Sequence, residues 1–226
     1  GTLSVAAGQG IELSSEANKL KNVVIDDAGA SVTIVSGNDA NVDLNVSTAQ
    51  GKTVNGSITV RNVADGSVLN NIVVDRNLQA SGNITLVNNE SDINVNANAI
   101  VSAANITLQA NDNAINFNGG SLNATATNGK LEANGNNINI VGSGIDAATV
   151  DMTATNNISM SGSFISATDV TLTASGDITQ SGGSISATGV TLSANRDIAQ
   201  SGGSISANDA VLRATQNISQ TAGSIV

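Results

Sequence analysis

The chain has 226 residues, of which 40% are hydrophobic but only 1% aromatic, and it contains no Pro, Cys, Trp, Tyr or His. A conventional globular core is not expected, because large cores draw heavily on aromatic side chains. The net charge of −10 argues against a nucleic-acid partner, since only eight Lys and Arg are scattered along the chain. The lack of His and Cys excludes catalytic triads and thiol nucleophiles.

Hydropathy gives no sign of a membrane segment. No apolar run approaches the roughly 18 residues that a membrane-spanning helix needs. Residues 1–20 also lack the charged and apolar parts of a signal peptide. The sequence therefore predicts a soluble chain that is not embedded in a membrane. The absence of Cys fits both a cytosolic protein and an exported one that stays unfolded in transit.

Residues 1–71 alternate apolar and polar side chains, as β-strands do, at Val32–Ile34, Val42–Val46 and Ile58–Val60. No single spacing relates these three segments to one another. The residues Ala64–Ser67, between two strand-like runs, resemble the turn of a β-hairpin. Two interpretations stay open for this part of the chain: a protruding pair of antiparallel strands, or an irregular coil with a long corner.

From residue 72 onward, an isoleucine recurs at intervals of 20 to 23 residues. The extra residues of the longer intervals fall in polar segments such as Asn88–Ser91 and Thr127–Lys130, where added length costs little free energy because it lies outside the stack. The recurring positions are Ile72, Ile93, Ile115, Ile138 and Ile158, followed by a second set at Leu78, Val101, Leu122 and Ile145 and a third at Ile84, Ile106 and Val150.

Residues 158–226 repeat a twenty-residue motif without insertion. Self-similarity at a fixed period of this length is the signature of a solenoid. Within each repeat, apolar and polar residues alternate over three short runs separated by Gly, Asn, Asp and Ser, which predicts three strands and three corners. The repeated positions are Ile158, Ile178, Ile198 and Ile218, then Ile165, Ile185, Ile205 and Ile225, then Leu172, Leu192 and Leu212.

These patterns predict an all-β fold, a right-handed parallel β-helix with about 20–23 residues and three short strands per coil. Strands of successive coils are expected to lie parallel and in register, about 4.8 Å apart. Two arguments favour the right-handed form: left-handed helices use a six-residue motif that this sequence lacks, and parallel crossovers are right-handed as a rule.

The whole chain, 1–226, is expected to form one domain of roughly ten or eleven coils. Residues 1–71 are expected to form less regular coils than residues 72–226. The sequence ends at Ser224–Val226, in the middle of a coil and without a capping element. We therefore expect the chain to be a fragment of a longer fibre.

Three glutamines, Gln180, Gln200 and Gln220, each follow an inward isoleucine by two residues and should therefore point into the interior. A lone buried amide costs about 1–3 kcal/mol. Stacked amides can instead hydrogen-bond to one another along the axis, so we predict a structural glutamine ladder. Ile140 and Met160 hold the same position in the preceding coils, which predicts a change from an aliphatic to an amide-lined interior, with Met160 as the flexible joint.

The sequence contains eight Asn-x-Ser/Thr sequons, about as many as its composition gives by chance. Four of them precede an inward isoleucine at a corner that should be exposed. We regard these four as the candidate N-glycosylation sites. They are Asn83, Asn105, Asn157 and Asn217.

The carboxylates offer little for catalysis. Asp177 and Asp197 should stack at equivalent positions, with Asn157 before and Asn217 after them, a pattern more typical of a corner-capping ladder than of a site. The calcium-binding repeat G-G-x-G-x-D is missing. The sequence thus predicts no catalytic residue, no metal site and no cofactor.

The only two aromatic residues, Phe117 and Phe164, are expected to fill the core. A β-helix that cleaves polysaccharide would instead mount acidic and basic residues together with sugar-stacking aromatics on one face. That arrangement is not recognisable in the sequence.

The segments Val170–Ser186 and Val190–Ser206 combine V-T-L-x-A, D-I and S-G-G-x-I at fixed offsets. This combination resembles the repeat of filamentous haemagglutinin and related large exoproteins of bacterial two-partner secretion, closely over residues 138–226 and loosely over 72–137. The resemblance implies an extracellular right-handed β-helical fibre, exported through an outer-membrane barrel partner. It also implies a role in adhesion, biofilm cohesion or contact-dependent toxin delivery. The chain has no Pro and so lacks the N-P-N-type motifs of the family's secretion domain, which indicates repeat shaft.

Two classes of function stay open. The favoured one is a structural or adhesive segment of a secreted bacterial cell-surface exoprotein, a monomeric, non-enzymatic rod that carries a surface for a host-cell receptor or matrix glycan. The alternative is a carbohydrate-active parallel β-helix that binds or cleaves polysaccharide.

Overall fold

The computed structural model describes residues 1–37, 42–63 and 70–226, which form β-strands joined by corners and turns. The strands are β1 Thr2–Ala7, β2 Ile11–Leu13, β3 Asn22–Ala28, β4 Val32–Ser36, β5 Leu44–Thr48, β6 Ile58–Asn62, β7 Ile72–Val74, β8 Leu78–Gln79, β9 Ile84–Asn88, β10 Ile93–Asn96, β11 Ile100–Ala103, β12 Ile106–Ala110, β13 Ile115–Asn118, β14 Ser121–Ala124, β15 Lys130–Gly135, β16 Ile138–Val141, β17 Gly144–Asp146, β18 Thr149–Ala154, β19 Ile158–Ser161, β20 Ser163–Ser166, β21 Asp169–Ala174, β22 Ile178–Ala194, β23 Ile198–Ala214, β24 Ile218–Gln220 and β25 Ser224–Ile225.

The strands pair in parallel with their counterparts one coil away and form three stacks. Stack 1 has eleven levels and consists of β1, β3, β5, β7, β10, β13, β16, β19, β22, β23 and β24. Stack 2 consists of β8, β11, β14, β17, β20, β22, β23 and β25, and stack 3 of β2, β4, β6, β9, β12, β15, β18, β21, β22 and β23. Strands β22 and β23 run through all three stacks because each continues around two corners. The fold is a parallel β-solenoid.

Stacked aliphatic side chains fill the interior. In stack 1, Ile93 pairs with Ile72 on one side and with Ile115 on the other, and the same isoleucine register continues to Ile218. From Ile72 to Ile198, these isoleucines are at most 3% exposed. Burying a side chain of this size stabilises the fold by about 1.5–3 kcal/mol relative to leaving it in water. The predicted register of residues 72–218 is confirmed.

The described residues before Asn70 belong to the same solenoid but have longer offsets. Val32 pairs with Ile58, and Ile58 pairs with Ile84, at offsets of 26 residues. Leu44 pairs with Ile72 at an offset of 28 residues. These coils differ from one another in length, so no single interval relates them in the sequence.

The turn of the hairpin that the sequence suggested, Ala64–Ser67, lies outside the described residues. The strand that precedes it, β6, pairs in parallel with β4 and β9. The next strand in the chain, β7, pairs in parallel with β5 and β10. The two strands therefore belong to different stacks, β6 to stack 3 and β7 to stack 1.

Buried asparagines close the corner that follows stack 3 in these longer coils. Asn62 stacks between Ser36 and Asn88, and all three side chains are fully buried. The Asn62 Nδ2 donates to the Asn70 carbonyl oxygen at 2.6 Å, and the Asn88 Nδ2 donates to the carbonyl oxygens of Asn70 and Asp92 at 2.9 and 2.8 Å. These amides satisfy main-chain oxygens that would otherwise be buried without a donor.

Side-chain oxygens cap the backbone at the corner between stack 3 and stack 1. The Oδ1 atom of Asn157 accepts a hydrogen bond from the Asp177 N–H at 2.8 Å. In the same way, the Asp177 Oδ1 accepts from the Asp197 N–H at 3.1 Å, and the Asp197 Oδ1 accepts from the Asn217 N–H at 2.9 Å. The predicted corner-capping ladder of these four residues, which we call the corner ladder, is confirmed.

The two aromatic side chains lie in different environments. Phe117 is fully buried, as predicted, whereas Phe164 is 62% exposed, so the prediction that it fills the core is wrong. Strand side chains alternate between the two faces, and Ile165 takes the inward position of β20. Phe164 must therefore point outward, at a level where its register partners are Gly144 and Ser184.

Candidate binding groove

A polar groove lies on the outward face of stack 1, near the first coils. It consists of two adjoining hollows of about 450 Å³ and 410 Å³, which share Val24, Ser47, Asp75 and Arg76. We call it the stack-1 groove. Its other lining residues include Thr2, Asn22, Asn45, Gln50, Asn77 and Asn98.

A two-residue loop forms one wall of the stack-1 groove. The N–H of Leu44 donates to the Asn71 carbonyl oxygen at 2.8 Å, and the N–H of Thr48 donates to the Asn77 carbonyl oxygen at 2.7 Å. Four residue steps along β5 therefore face six steps in the next coil, so two residues must loop out of the pairing, as in a β-bulge. The looped-out pair is Asp75–Arg76, and both residues are exposed.

The charges of this loop differ in how they are held. The Asp75 Oδ1 accepts a hydrogen bond from the Asn96 Nδ2 at 2.6 Å, which orients the carboxylate. Across residues 1–37, 42–63 and 70–226, Arg76 forms no ion pair. The groove thus presents an exposed guanidinium beside a fixed carboxylate.

Stacked asparagines continue the outward face of stack 1 beyond the groove. The Asn116 Nδ2 donates to the Asn94 Oδ1 at 2.8 Å, and the Asn139 Nδ2 donates to the Asn116 Oδ1 at 2.8 Å. These amides are bonded to one another, so the row locks the register of the stack. In the groove, by contrast, the Asn45 Nδ2 has only a long contact of 3.4 Å with the Lys21 carbonyl oxygen.

The three glutamines form a column inside the rod, next to the corner between stacks 1 and 2. The Gln200 Nε2 donates to the Gln180 Oε1 at 3.1 Å, and the Gln220 Nε2 donates to the Gln200 Oε1 at 2.9 Å. Gln180 and Gln200 are buried, whereas Gln220 in the last coil is exposed. In the two coils before the column, Met160 and Ile140 occupy the same register position. The column has a structural role and offers no accessible site.

The four candidate glycosylation sites are not equally accessible. Asn83 and Asn217 are exposed, whereas Asn105 and Asn157 are half-buried, so the expectation of an exposed corner is wrong for these two. The Asn105 Nδ2, the atom that would carry a glycan, donates to the Asn83 Oδ1 at 2.9 Å. The Asn217 Nδ2 donates to the Asp197 Oδ1 at 2.8 Å. A glycan on Asn105 or Asn217 would therefore have to displace a hydrogen bond.

A cluster of charges lies on the outward face of stack 3. The Lys130 Nζ is 3.1 Å from the Asp151 Oδ2 and 3.2 Å from the Glu132 Oε2. The hydrogen bond to Asp151 raises the pKa of Lys130, and hydrogen bonds from Asn134 and Lys130 lower the pKa of Glu132. The side chains of Lys130, Glu132 and Asp151 are more than one third exposed, so the cluster contributes modestly to stability, as surface ion pairs do.

Sequence reasoning did not single out Asp75 or Arg76. One signal was present, because the interval from Ile72 to Leu78 is six residues whereas the interval from Ile93 to Val101 is eight. The corner between stacks 1 and 2 therefore changes in length near residue 75. The outward loop could not be inferred, since it depends on how β5 pairs with the next coil.

In the described ranges 1–37, 42–63 and 70–226, no helix has the length and apolarity to cross a membrane. No three carboxylate side chains in that part of the chain lie close enough together to hold a metal ion. Comparison with family models, curated proteins and solved structures gives no match to this chain.

Proposed function

We propose that the chain is a structural or adhesive segment of a secreted bacterial surface exoprotein, in which a β-helical rod presents a binding surface to a host cell or matrix. The observation that carries the proposal is the uninterrupted parallel pairing of stack 1 through eleven levels. At about 4.8 Å per level, such a stack is about 50 Å long. A fold in which each coil contacts only its neighbours extends by repetition, which suits a spacer or fibre.

Secretion and cell-surface location rest on the resemblance of Val170–Ser206 to the repeats of two-partner exoproteins. An outer-membrane transporter as export partner belongs to the same proposal. The composition is compatible with it, because a chain without Cys crosses a membrane unfolded with no disulfide to form or break.

The test uses beads coated with the purified chain and applied to cultured epithelial cells and to extracellular matrix. We expect more attachment than with beads coated with the same mass of albumin. Small-angle scattering on the same preparation is expected to show a rod. Attachment at the albumin level would remove the adhesive part of the proposal, and a compact, spherical scattering profile would remove the structural part.

Polysaccharide cleavage is the competing function, and we propose that the chain has no such activity. Asp177 and Asp197, the stacked acidic pair of the sequence, both use their Oδ1 atoms to cap backbone N–H groups. We expect no product from acidic or neutral polysaccharides, with or without Ca²⁺. Turnover that disappears in Asp177→Asn or Asp197→Asn would overturn this part of the proposal.

A further inference from the structure

We infer that the stack-1 groove binds acidic polysaccharide and that Arg76 pairs with the carboxylate groups of this ligand. The inference goes beyond the proposed role of the rod and does not depend on it. It rests on the geometry of the loop Asp75–Arg76 and of the groove floor.

Arg76 supplies the charge that the ligand would recognise. A guanidinium without an ion-pair partner can bind a carboxylate through two parallel N–H···O bonds, a geometry that fixes the orientation of the ligand as well as attracting it. Arg76 is the cation shared by both hollows of the groove. The chain carries a net charge of −10, so an anion is attracted locally here and repelled elsewhere.

Asp75 distinguishes between kinds of anion. Its Oδ1 is held by Asn96, and a carboxylate retains capacity for further hydrogen bonds, which a sugar hydroxyl can donate. The same negative charge repels a doubly charged phosphate more strongly than a singly charged carboxylate. A sugar that carries both hydroxyl and carboxylate groups therefore matches the pair Asp75–Arg76 better than a phosphate does.

The groove floor repeats along the axis of the rod. Thr2, Asn22 and Asn45 occupy the same register position in three successive coils. Their hydroxyl and amide groups both donate and accept hydrogen bonds, as sugar hydroxyls do, and Val24 offers an apolar contact for the C–H face of a ring.

The length of the groove indicates an extended ligand. Its lining residues, from Thr2 to Asn98, lie in five successive coils, which corresponds to about 19 Å at the spacing of parallel strands. A single sugar would occupy only part of this length. The geometry therefore fits an oligosaccharide whose carboxylates recur along its chain.

The experiment is isothermal titration calorimetry of the full chain with an oligogalacturonate, compared with a neutral dextran oligosaccharide and with inorganic phosphate. Arg76→Gln removes the proposed contact. The matched control is Arg213→Gln, which makes the same charge change at an exposed residue of β23, on stack 3. Circular dichroism verifies that both variants keep the fold.

We expect oligogalacturonate to bind, and to bind at least about tenfold more weakly to Arg76→Gln than to the unchanged chain, with no change for Arg213→Gln. Added salt should weaken the binding. The inference is overturned by no binding, by equal losses in the two variants, or by equally tight binding of neutral dextran. Phosphate bound as tightly as oligogalacturonate would also overturn it, because the groove would then be a simple anion site. None of these outcomes decides whether the rod attaches to cells.

Discussion

The side-chain amide of Gln180 occupies the space that a side chain at Gly203 would need. A Cβ atom at Gly203 would lie 2.9 Å from the Gln180 Nε2 and 2.5 Å from the Gly183 carbonyl oxygen. Gly203 also has a φ of +80°, a conformation that glycine adopts readily. The glutamine column and the glycine corner of the following coil are therefore coupled.

This coupling predicts the effect of Gly203→Ala. The matched control is Gly162→Ala, because Gly162 also has a positive φ of +61° but no atom within 4 Å of an added Cβ. We expect the control to lose about 1–2 kcal/mol from the left-handed backbone alone, and Gly203→Ala to lose more. Urea unfolding measures both losses.

A double-mutant cycle tests the coupling itself. If Gln180 is the obstacle, the cost of Gly203→Ala should be smaller in a chain that also carries Gln180→Ala. Equal costs in the two backgrounds would show that the clash with the Gly183 oxygen and the backbone strain account for the whole effect.

The glutamine column predicts a difference between Gln200→Ala and Gln220→Ala. Gln200→Ala removes a buried side chain that bonds to both neighbours, so it leaves Gln180 and Gln220 without a partner. We expect it to lower the free energy of unfolding by about 1–3 kcal/mol. Gln220 is exposed, so Gln220→Ala should cost less than Gln200→Ala. Equal and negligible losses in urea unfolding would contradict the column.

The different environments of the two phenylalanines predict different losses on truncation. Phe117→Ala should destabilise the chain by about 3–5 kcal/mol, because it empties a site in the core. Phe164→Ala should change stability by less than about 0.5 kcal/mol, as surface substitutions usually do. Thermal unfolding of the two variants decides the matter, and similar losses would mean that Phe164 is buried after all.

The ion cluster of stack 3 predicts a small dependence of stability on pH. The pKa of Glu132 is lowered in the fold, so its contribution is present above the unfolded-state pKa and is lost as the pH falls through the folded-state pKa. The pKa of Lys130 is raised, so its contribution is present below 10.5 and is lost as the pH rises through the folded-state pKa.

Removing the cation should flatten both limbs of this profile. We expect Lys130→Met to cost less than about 1 kcal/mol at neutral pH, and less in high salt, because the cluster is exposed. Lys52→Met, at an exposed turn residue, is the control. Identical profiles of unfolding midpoint against pH for the two variants would contradict the assigned role of Lys130.

Residues 72–226 could be predicted in detail because a single residue type marks the same position in every coil. Ile93 and Ile115 are recognisable as partners from spacing alone, and the structure pairs them. The earlier coils could not be aligned in this way. The partners of Ile58, namely Val32 and Ile84, lie 26 residues away on either side, whereas the offset of Leu44 from Ile72 is 28.

The candidate groove was not predictable for a related reason. Asp75 and Arg76 are two ordinary polar residues between Val74 and Leu78 until the register of β5 against the next coil is known. Phe164 was misplaced for a simpler reason, because its neighbour Ile165 carries the twenty-residue repeat and fixes the inward face. A pattern read over several coils gives the direction of a side chain more reliably than residue type does.

The corner ladder gives the rod a polarity. Each of its bonds runs from the N–H of a later coil to an oxygen of the coil before it, as from Asp92 to Asn71, from Ala114 to Asp92 and from Asp177 to Asn157. In kinetic terms, a coil that folds later meets an acceptor that the earlier coil already holds in place. Growth from the first coil to the last is thus templated at this corner, and each coil that closes opposes backward sliding of the chain. A polypeptide that emerges from a pore with its N-terminal coils first could use this asymmetry as a ratchet.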